Sequence, residues 1–378
     1  MNIPFSFGKL VKDVDFTDRY EDTARLCNNF TGLINTSIIA PRRWGKSSLV
    51  KHALEMLPDK DNFIIVYIDA YISKDREQFL NNYANAVMSA STGKIEEMMD
   101  MISTYIPAIR PFVSLDLGGL TFNLEMELSL KKQKDSVDQI IELPHRIAEK
   151  KKKKVIVCID EFQTITEYKD SLAFQRLLRS HWQTHSDVVY CLFGSKFNLM
   201  SKLVGKPNMP LYKFGDMMFL QKISTRDWIP FIVKRFNDTG KNISEQNAEL
   251  IVSLVENHSY YVQQLAQLAW LHTFGKECTE AVIRQTYDTF IDQLSLLFMQ
   301  TAGELTRSQL GFLRALCNGE TNFTSAEVVT KYRFGTPANV KNIKAALEKK
   351  EITTTFPSGI EFQDPVFKSW FVQSELGR

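Results

Sequence analysis

A segment near the N-terminus combines residue types that hold phosphate groups. The apolar run Ile38-Ile39-Ala40 precedes Pro41-Arg42-Arg43-Trp44-Gly45-Lys46-Ser47-Ser48, and a helical pattern begins at Leu49. Backbone N–H groups at the start of a helix carry partial positive charge and bind anions. Gly45 would let the backbone approach the phosphates, Lys46 would add a full charge, and the Ser47 hydroxyl would ligate Mg²⁺. The spacing predicts a phosphate-binding loop, and its predicted nucleotide-binding residues are Arg43, Trp44, Gly45, Lys46, Ser47 and Ser48.

The loop departs from the usual pattern at one position. That pattern places a glycine four residues ahead of the Gly-Lys pair, and Ala40 stands there in this chain. Alanine can replace glycine where the backbone has φ < 0, which the following Pro41 favours. The alternative interpretation is an ordinary strand, turn and helix, and a second motif downstream favours the phosphate loop.

The second motif is a short apolar run that ends in two adjacent carboxylates. Residues 155–159 are apolar and precede Asp160 and Glu161. Such a run predicts a strand buried on both faces. In phosphate-loop enzymes the first acid holds Mg²⁺, often through water, and the second can orient or deprotonate the attacking water. The predicted metal ligands are therefore Ser47 and Asp160, and the predicted catalytic residues are Lys46 and Glu161.

These residues resemble a known family. Residues 40–49, the Asp160-Glu161-Phe162-Gln163 stretch and the C-terminal segment are similar to the archaeal-type ATPases of the STAND and AAA+ branch of P-loop NTPases. The resemblance covers nearly the whole chain and implies an ATPase core, a helical lid and a winged helix, with ATP and Mg²⁺ bound. It favours an ATP-hydrolysing switch protein. The alternatives are a DNA-binding regulator that uses ATP as a ligand with little turnover, and a scaffold with a vestigial site.

Further site residues follow from position along the chain. Ser195, and after it Lys196, lie at the tip of a predicted strand, where a polar residue in this superclass can sense the γ-phosphate. Arg176 or Arg179 could act as an arginine finger on a neighbouring subunit's nucleotide, or be a surface arginine. Since a finger acts between subunits, an oligomer is one expectation.

Three histidines allow two interpretations each. His181 and His185 are four residues apart on a predicted helix and could present two ligands to a metal, but no third ligand accompanies them, which favours surface histidines. His258 lies where the related ATPases carry a turn that reaches the nucleotide. Serine replaces the usual proline there, which favours a histidine packed between helices.

Length and composition set the broad class. The 378 residues suffice for two or three domains, and 44% hydrophobic with 24% charged residues is ordinary for a globular protein. A net charge of +2 gives no global field that favours nucleic acid or membrane. No apolar run is long enough to span a bilayer. The five scattered cysteines indicate reduced thiols and a cytoplasmic location: Cys27, Cys158, Cys191, Cys278 and Cys317.

The elements that position these residues form an α/β core. Apolar runs predict strands at 63–70, 154–160, 188–195 and 217–220 in addition to the one at residue 38. The acid pair indicates the class with sheet order 5-1-4-3-2. Thr17 or Asp18 is predicted to cap a helix ending near Phe30 that lies beside the adenine or docks on the core. Alternation across a Gly118-Gly119 turn predicts a β-hairpin inserted at about 112–129, which either lies on the core or docks a protein partner.

The predicted domains are a core over 1–222, a lid over 223–303 and a winged helix over 304–378. In the last, the pair Thr324-Ser325 is predicted to cap the second helix, and Thr336-Pro337 to open the third with proline in its first position. Residues 301–378 carry ten basic and eight acidic residues, a mild excess for a DNA reader. The candidate DNA-binding residues are Lys341 and Lys344 on the third helix, and packing against another domain is the alternative.

Overall fold

The structure is a computed structural model that describes residues 3–10, 15–92, 95–105, 109–116, 119–126 and 130–377. It groups the chain into two compact units. The sheet unit comprises Arg19–Ala40 and Lys46–Leu220, and the C-terminal unit comprises Met1–Asp18, Pro41–Gly45 and Gln221–Arg378. This grouping joins the predicted lid and winged helix, so their boundary at residue 303 stays a prediction.

The sheet unit is built on five parallel strands, and each strand is a short and mostly apolar run of residues. Their bounds are β1 Thr36–Ile39, β2 Phe63–Asp69, β5 Lys154–Asp160, β6 Val188–Gly194 and β7 Asp216–Phe219, with β3 Ile109–Asp116 and β4 Gly119–Met126 between β2 and β5. The order across the sheet is β2-β5-β6-β1-β7, which confirms the predicted order 5-1-4-3-2. Every residue of β1 and β6 is buried, as expected for central strands covered on both faces.

Helices cover this sheet and fill the intervals between its strands. They are α1 Tyr20–Thr31, α2 Lys46–Glu55, α3 Arg76–Ser91, α4 Ile95–Tyr105, α5 Leu130–Lys151, α6 Ser171–Trp182 and α7 Phe197–Gly205. The predicted cap of α1 is wrong. Arg19 occupies the N-cap position with φ 68° and makes no side-chain cap, and Asp18 also has a positive φ of 54°. Two consecutive left-handed residues turn the chain into the helix without Thr17 or Asp18 as the cap.

The inserted hairpin forms, but its turn differs from the prediction. β3 and β4 pair antiparallel from Ile109 with Met126 to Asp116 with Gly119. Gly119 is therefore a paired strand residue and not a turn residue, because it pairs with Asp116. Residue 118 of the predicted turn, and the predicted hairpin end at 127–129, lie outside the described part of the chain, and docking of a protein partner there stays a prediction.

The C-terminal unit is largely helical. Its elements are α8 Thr225–Asn237, β8 Asn242–Ile243, α9 Glu245–Leu254, α10 Ser259–His272, β9 Glu277–Cys278, α11 Glu280–Gly303, α12 Arg307–Cys317, α13 Ala326–Lys331, α14 Asn339–Lys349, β10 Thr353–Phe356, β11 Gly359–Phe362 and α15 Pro365–Leu376. One hydrophobic cluster runs through them. In it Phe298 of α11 meets Phe367 and Trp370 of α15 at ring distances of 5.5 and 5.8 Å.

The helices α12 to α14 and the β10–β11 hairpin have the winged-helix layout. Ser325 caps α13 as predicted, since its side chain accepts from the Val328 N–H. The predicted start of α14 at Pro337 is wrong: the helix begins at Asn339. The Asn339 N–H donates to the Thr336 carbonyl, which closes a turn over the residues where the helix was expected to start.

Aromatic residues of the N-terminal segment also belong to the C-terminal unit. Phe5 is buried and packs on Phe231 and Phe236, and Phe7 meets the Tyr260 ring edge-on at 5.6 Å. The five cysteines are free thiols, as the sequence predicts. None of the helices among the described residues combines the length and apolar character needed to cross a lipid bilayer.

Candidate functional site

The predicted phosphate loop connects β1 to α2. Ala40 is buried at the end of β1 and does not have a positive φ. An alanine therefore fits this position. Gly45 has φ 89°, a backbone conformation that disfavours side chains, and Arg43 also adopts a positive φ of 63°. The loop therefore turns sharply ahead of α2, and the N–H groups in the first turn of a helix are the kind of groups that bind anions.

Lys46 and Ser47 begin that helix. Lys46 is 5% exposed, and its Nζ donates to the Ala40 carbonyl at 3.0 Å. This bond spans the two ends of the loop and holds the ammonium beside it. Ser48 is also buried. The Lys46 ammonium is thus fixed at the end of β1, and its role as a phosphate-binding charge stays a prediction.

The Ser47 hydroxyl meets the first acid of the second motif. Its Oγ donates to Asp160 Oδ2 at 2.8 Å, and the Tyr67 hydroxyl donates to the same oxygen at 2.8 Å. Burial raises the pKa of the Asp160 carboxyl, whereas the hydrogen bonds from Tyr67 and Ser47 act to lower that pKa. A hydroxyl and a carboxylate that lie this close together suit Mg²⁺, because this ion binds oxygen ligands. Only a few of its ligands usually come from the protein, and the others are water or phosphate oxygens.

Glu161 follows at the end of β5 in a left-handed conformation, with φ 49°. Its Oε2 accepts from the Ser195 hydroxyl at 2.8 Å and from Gln163 Nε2 at 2.5 Å. The predicted sensor and the predicted base are therefore in direct contact. Lys196, the second sensor candidate, pairs with Glu167 at 3.0 Å.

The large side chains of the loop contact the C-terminal unit, to which the loop residues 41–45 themselves belong. The Trp44 ring stacks on Phe356 of β10 at 6.0 Å, and Lys222 Nζ lies 5.6 Å from the centre of the Trp44 ring. Trp44 is 7% exposed. It is thus packed on the hairpin formed by β10 and β11, residues 353–362, which we call the wing hairpin.

The two arginines of the loop also contact this unit. Arg42 Nε lies 3.1 Å from Glu351 Oε2, which precedes the wing hairpin. The Arg43 guanidinium lies 4.4 Å above the ring of Tyr260 in the first turn of α10. Each of three consecutive loop residues therefore has a partner among elements that follow residue 221.

His258 is a buried neighbour of this contact set. It is 5% exposed, its ring lies 4.9 Å from that of Tyr261, and its Nδ1 has no hydrogen-bond partner among the described residues. Burial, with the charges of Lys222 and Arg43, lowers the pKa of His258 to about 3. It is a neutral histidine packed between helices.

The remaining candidate residues lie on α6 and α14. Arg176 is exposed on α6, whereas the Arg179 guanidinium lies 5.1 Å from the centre of the Phe214 ring. Lys341 is exposed on α14. Lys344 Nζ lies 5.0 Å from the Phe323 ring centre and so partly covers the winged-helix aromatic cluster.

His181 on α6 and His185, which follows that helix, both contact acidic side chains of α5. His181 Nδ1 lies 2.5 Å from Glu142 Oε1 and its Nε2 lies 3.2 Å from Asp138 Oδ1. His185 is buried and its Nδ1 lies 2.8 Å from the Tyr190 hydroxyl. Within the described ranges no three His, Cys, Asp or Glu side chains are arranged to hold a metal. The prediction that one helix carries both histidines is wrong, because α6 ends at Trp182, and the prediction of surface histidines is wrong for the buried His185.

The sequence model of a family described as "ATPase domain predominantly from Archaea" matches residues 26–265. That span is more than half of the 378 residues. The chain belongs to this family of ATPases. It is a P-loop enzyme that hydrolyses ATP, which confirms the predicted enzyme class. A second model, "Probable winged helix domain", matches residues 296–373 and agrees with the observed α12 to α15 layout.

Solved structures share the fold along nearly the full length. A Walker-type ATPase of Pyrococcus abyssi gives a TM-score of 0.63 at 16% identity, covering 97% of this chain and 99% of that chain. The ORC2 protein of Aeropyrum pernix, in its ADPNP-ADP complexes, gives 0.57 at 13% identity, covering 99% and 98%. No curated protein matches the sequence. At these identities the structures show a shared fold.

Two residues at the site were given no role from the sequence. Tyr67 lies on β2 and reaches Asp160 because the two strands are neighbours in the sheet. Gln163 was part of the second motif, but only the turn after β5 brings it back to Glu161. A polar residue in an otherwise apolar strand was the one available signal for Tyr67.

Proposed function

We propose that this ATPase is a Mg²⁺-dependent switch of the STAND and AAA+ type, in which the bound nucleotide sets the contacts of the phosphate loop. The observation that supports the proposal is the engagement of Arg42, Arg43 and Trp44 with Glu351, Tyr260 and Phe356. The same loop residues whose backbone would hold phosphate carry side chains that hold the wing hairpin and α10.

This arrangement links occupancy to conformation. A ligand shifts an equilibrium only by its difference in affinity for the two states. ATP presents a γ-phosphate near Lys46 that ADP lacks, so the two nucleotides would hold the loop differently. A change in the backbone of the loop would redirect the Arg42 and Trp44 side chains, and the wing hairpin would change its position with them.

The site residues have distinct roles in hydrolysis. Lys46 would pair with the β- and γ-phosphates, and Glu161 would take a proton from the attacking water. Ser47 and Asp160 would hold Mg²⁺, which supplies neutralisation of charge on the phosphate oxygens. Ser195, which contacts Glu161, would respond when the γ-phosphate leaves.

Hydrogen exchange of the wing hairpin tests the switch. The full-length Glu161→Gln variant should retain Mg²⁺-ATP, so its amides at residues 353–362 can be compared without nucleotide, with Mg²⁺-ADP and with Mg²⁺-ATP. We expect protection to differ between the ADP and ATP samples. The Lys46→Ala variant is the control: at a nucleotide concentration that fills the site of Glu161→Gln but not the weakened site of Lys46→Ala, neither nucleotide should change its pattern. Equal protection in ADP and ATP, with both nucleotides bound, would refute the switch.

A second candidate function is a DNA-binding regulator that uses ATP as a ligand with little turnover. The winged helix and the exposed Lys341 favour it. Steady-state phosphate release separates the two functions. The switch requires repeated turnover that stops when EDTA removes Mg²⁺, whereas the regulator requires DNA binding that depends on ATP and persists without measurable release.

A further inference from the structure

Gln163 is a buried glutamine beside the predicted base. It lies on the short 3₁₀ turn Phe162–Glu167, is 2% exposed, and donates from Nε2 to Glu161 Oε2 at 2.5 Å. A buried amide is costly unless it is hydrogen-bonded, so this bond fixes the glutamine as well as the carboxylate.

Gly194, the last residue of β6, supplies the space that Gln163 occupies. A Cβ at this position would lie 1.6 Å from Gln163 Oε1 and 2.8 Å from its Cδ. Gly194 is not among the glycines with positive φ, so the requirement for glycine is one of space and not of backbone conformation. The side chain of Gln163 passes directly over the end of β6.

Among the described residues, the hydrogen bonds to the Glu161 carboxylate all meet one oxygen. Oε2 accepts from Gln163 Nε2, from Ser195 Oγ at 2.8 Å and from the Ser195 N–H at 3.3 Å. No hydrogen bond to Oε1 is present among the described residues. The carboxylate is therefore held by one oxygen, and Oε1 is the oxygen left to accept a proton. The left-handed backbone of Glu161 adds to the need for such support, because that conformation is unfavourable for a residue with a side chain.

We propose that Gln163 is a positioning residue for Glu161, and that Gly194 is required because it leaves room for Gln163. This rests on the proposed role of Glu161 as the base. Gln163 anchors Oε2 so that Oε1 faces the attacking water. Gln163 acts through Glu161.

The test is a double-mutant cycle measured in full-length protein with Mg²⁺-ATP. Gln163→Leu keeps the volume and removes the donor, and misplacement of a catalytic group by such a change costs about 10- to 100-fold in rate. We expect kcat to fall by that factor with an unchanged KM for ATP. In the Glu161→Gln background the same substitution should cause no further loss, because the group it positions is gone. Gln163→Met, a second donor-free variant, replaces Gln163→Leu if the latter does not fold.

Gln175→Leu is the matched control. Gln175 is 1% exposed in the same unit, its Nε2 donates to Ser171 Oγ, and it carries a buried Oε1 without a partner, as Gln163 does. Its replacement should leave kcat unchanged. Gly194→Ala should lower kcat as Gln163→Leu does, whereas Gly205→Ala, where an added Cβ meets no atom within 4 Å, should not.

The outcomes separate this inference from the proposed function. An unchanged or raised kcat in Gln163→Leu, or an equal loss in both backgrounds, overturns the positioning role. If Glu161→Gln itself turns over at the wild-type rate, the assignment of the base has failed. A slow Glu161→Gln variant with a fully active Gln163→Leu variant rejects only the role of Gln163.

Discussion

Lys46 is a buried ammonium at the start of α2, and an uncompensated buried charge is costly. Its Nζ donates to the Ala40 carbonyl, which keeps the charge beside the phosphate loop. Lys46→Ala should weaken ATP binding about 10- to 150-fold, since a charge-assisted hydrogen bond contributes about 1.5–3 kcal/mol. Calorimetric titration measures this, with exposed Lys60→Ala as the control. Equal affinity in Lys46→Ala and wild type would contradict the phosphate-loop assignment.

The residues that could be predicted at this scale are those that lie within a motif. Lys46 and Ser47 are adjacent in the loop, Asp160 and Glu161 are adjacent after an apolar run, and the Ser47–Asp160 contact follows once both motifs end on one sheet edge. Tyr67 was beyond prediction, because its contact depends on which strands are neighbours and in what register.

His258 gives the protein a defined response to acid. Its pKa is lowered to about 3 by burial and by the Lys222 and Arg43 charges, against an ordinary value of 6.5. Between these values the unfolded chain binds a proton that the folded chain does not, so stability is greatest above about pH 6.5 and falls as the pH drops. The slope for one such proton is at most about 1.4 kcal/mol per pH unit.

The expected result is a stability difference that depends on pH. His258→Asn removes the titrating group, so the free energy of unfolding should fall less steeply for this variant than for wild type between pH 6.5 and 4. Chemical denaturation at several pH values measures it, and His272→Asn, at an exposed position, controls for loss of a histidine. Parallel curves for His258→Asn and wild type would show that His258 is not buried as described.

At the scale of elements, buried strands were predicted well and helix starts were not. The strand β6 is an apolar run buried along its whole length, so composition alone indicates it. The start of α14 depends on a single turn that ends at Asn339, and that of α1 depends on two left-handed residues. The pattern of apolar residues gives little information about such local backbone conformations.

Close packing within the winged helix makes one glycine essential. Gly311 lies in α12, and a Cβ there would be 2.1 Å from the Tyr332 carbonyl oxygen. That oxygen belongs to the backbone and cannot rotate away, so Gly311→Ala must push the two segments apart. Overpacking of this kind costs typically about 1–3 kcal/mol.

Gly303 provides the matched comparison for this prediction. It is the last residue of α11, and an added Cβ meets no atom within 4 Å. Gly303→Ala should be neutral or stabilise by up to about 1 kcal/mol, because alanine favours the helix more than glycine does. Urea unfolding of both variants gives the answer. The packing argument fails if Gly311→Ala is as stable as Gly303→Ala.

For the whole molecule, charge decides how DNA could be bound. The net charge is +2, so attraction must come from a local surface and not from a global field. On α14, Lys341 is exposed, whereas Lys344 lies over the rings of Phe312 and Phe323 at 5.9 and 5.0 Å. Replacing Lys344 would disturb packing as well as charge. Lys341 is therefore the residue on which the DNA prediction can be tested cleanly.

If the winged helix binds DNA through α14, Lys341→Glu should weaken binding of mixed-sequence duplex and leave ATP hydrolysis without DNA unchanged. Each phosphate contact adds about 0.9 to the magnitude of the log–log salt slope, so loss of this lysine should lower that slope by about 0.9. Lys276→Glu makes the same charge change at another exposed position of the C-terminal unit and should leave the slope unchanged. Fluorescence anisotropy at several salt concentrations measures both. An absence of binding by wild type at low salt rejects the DNA prediction, and an equal loss in the two variants shows that any binding comes from general charge and not from α14.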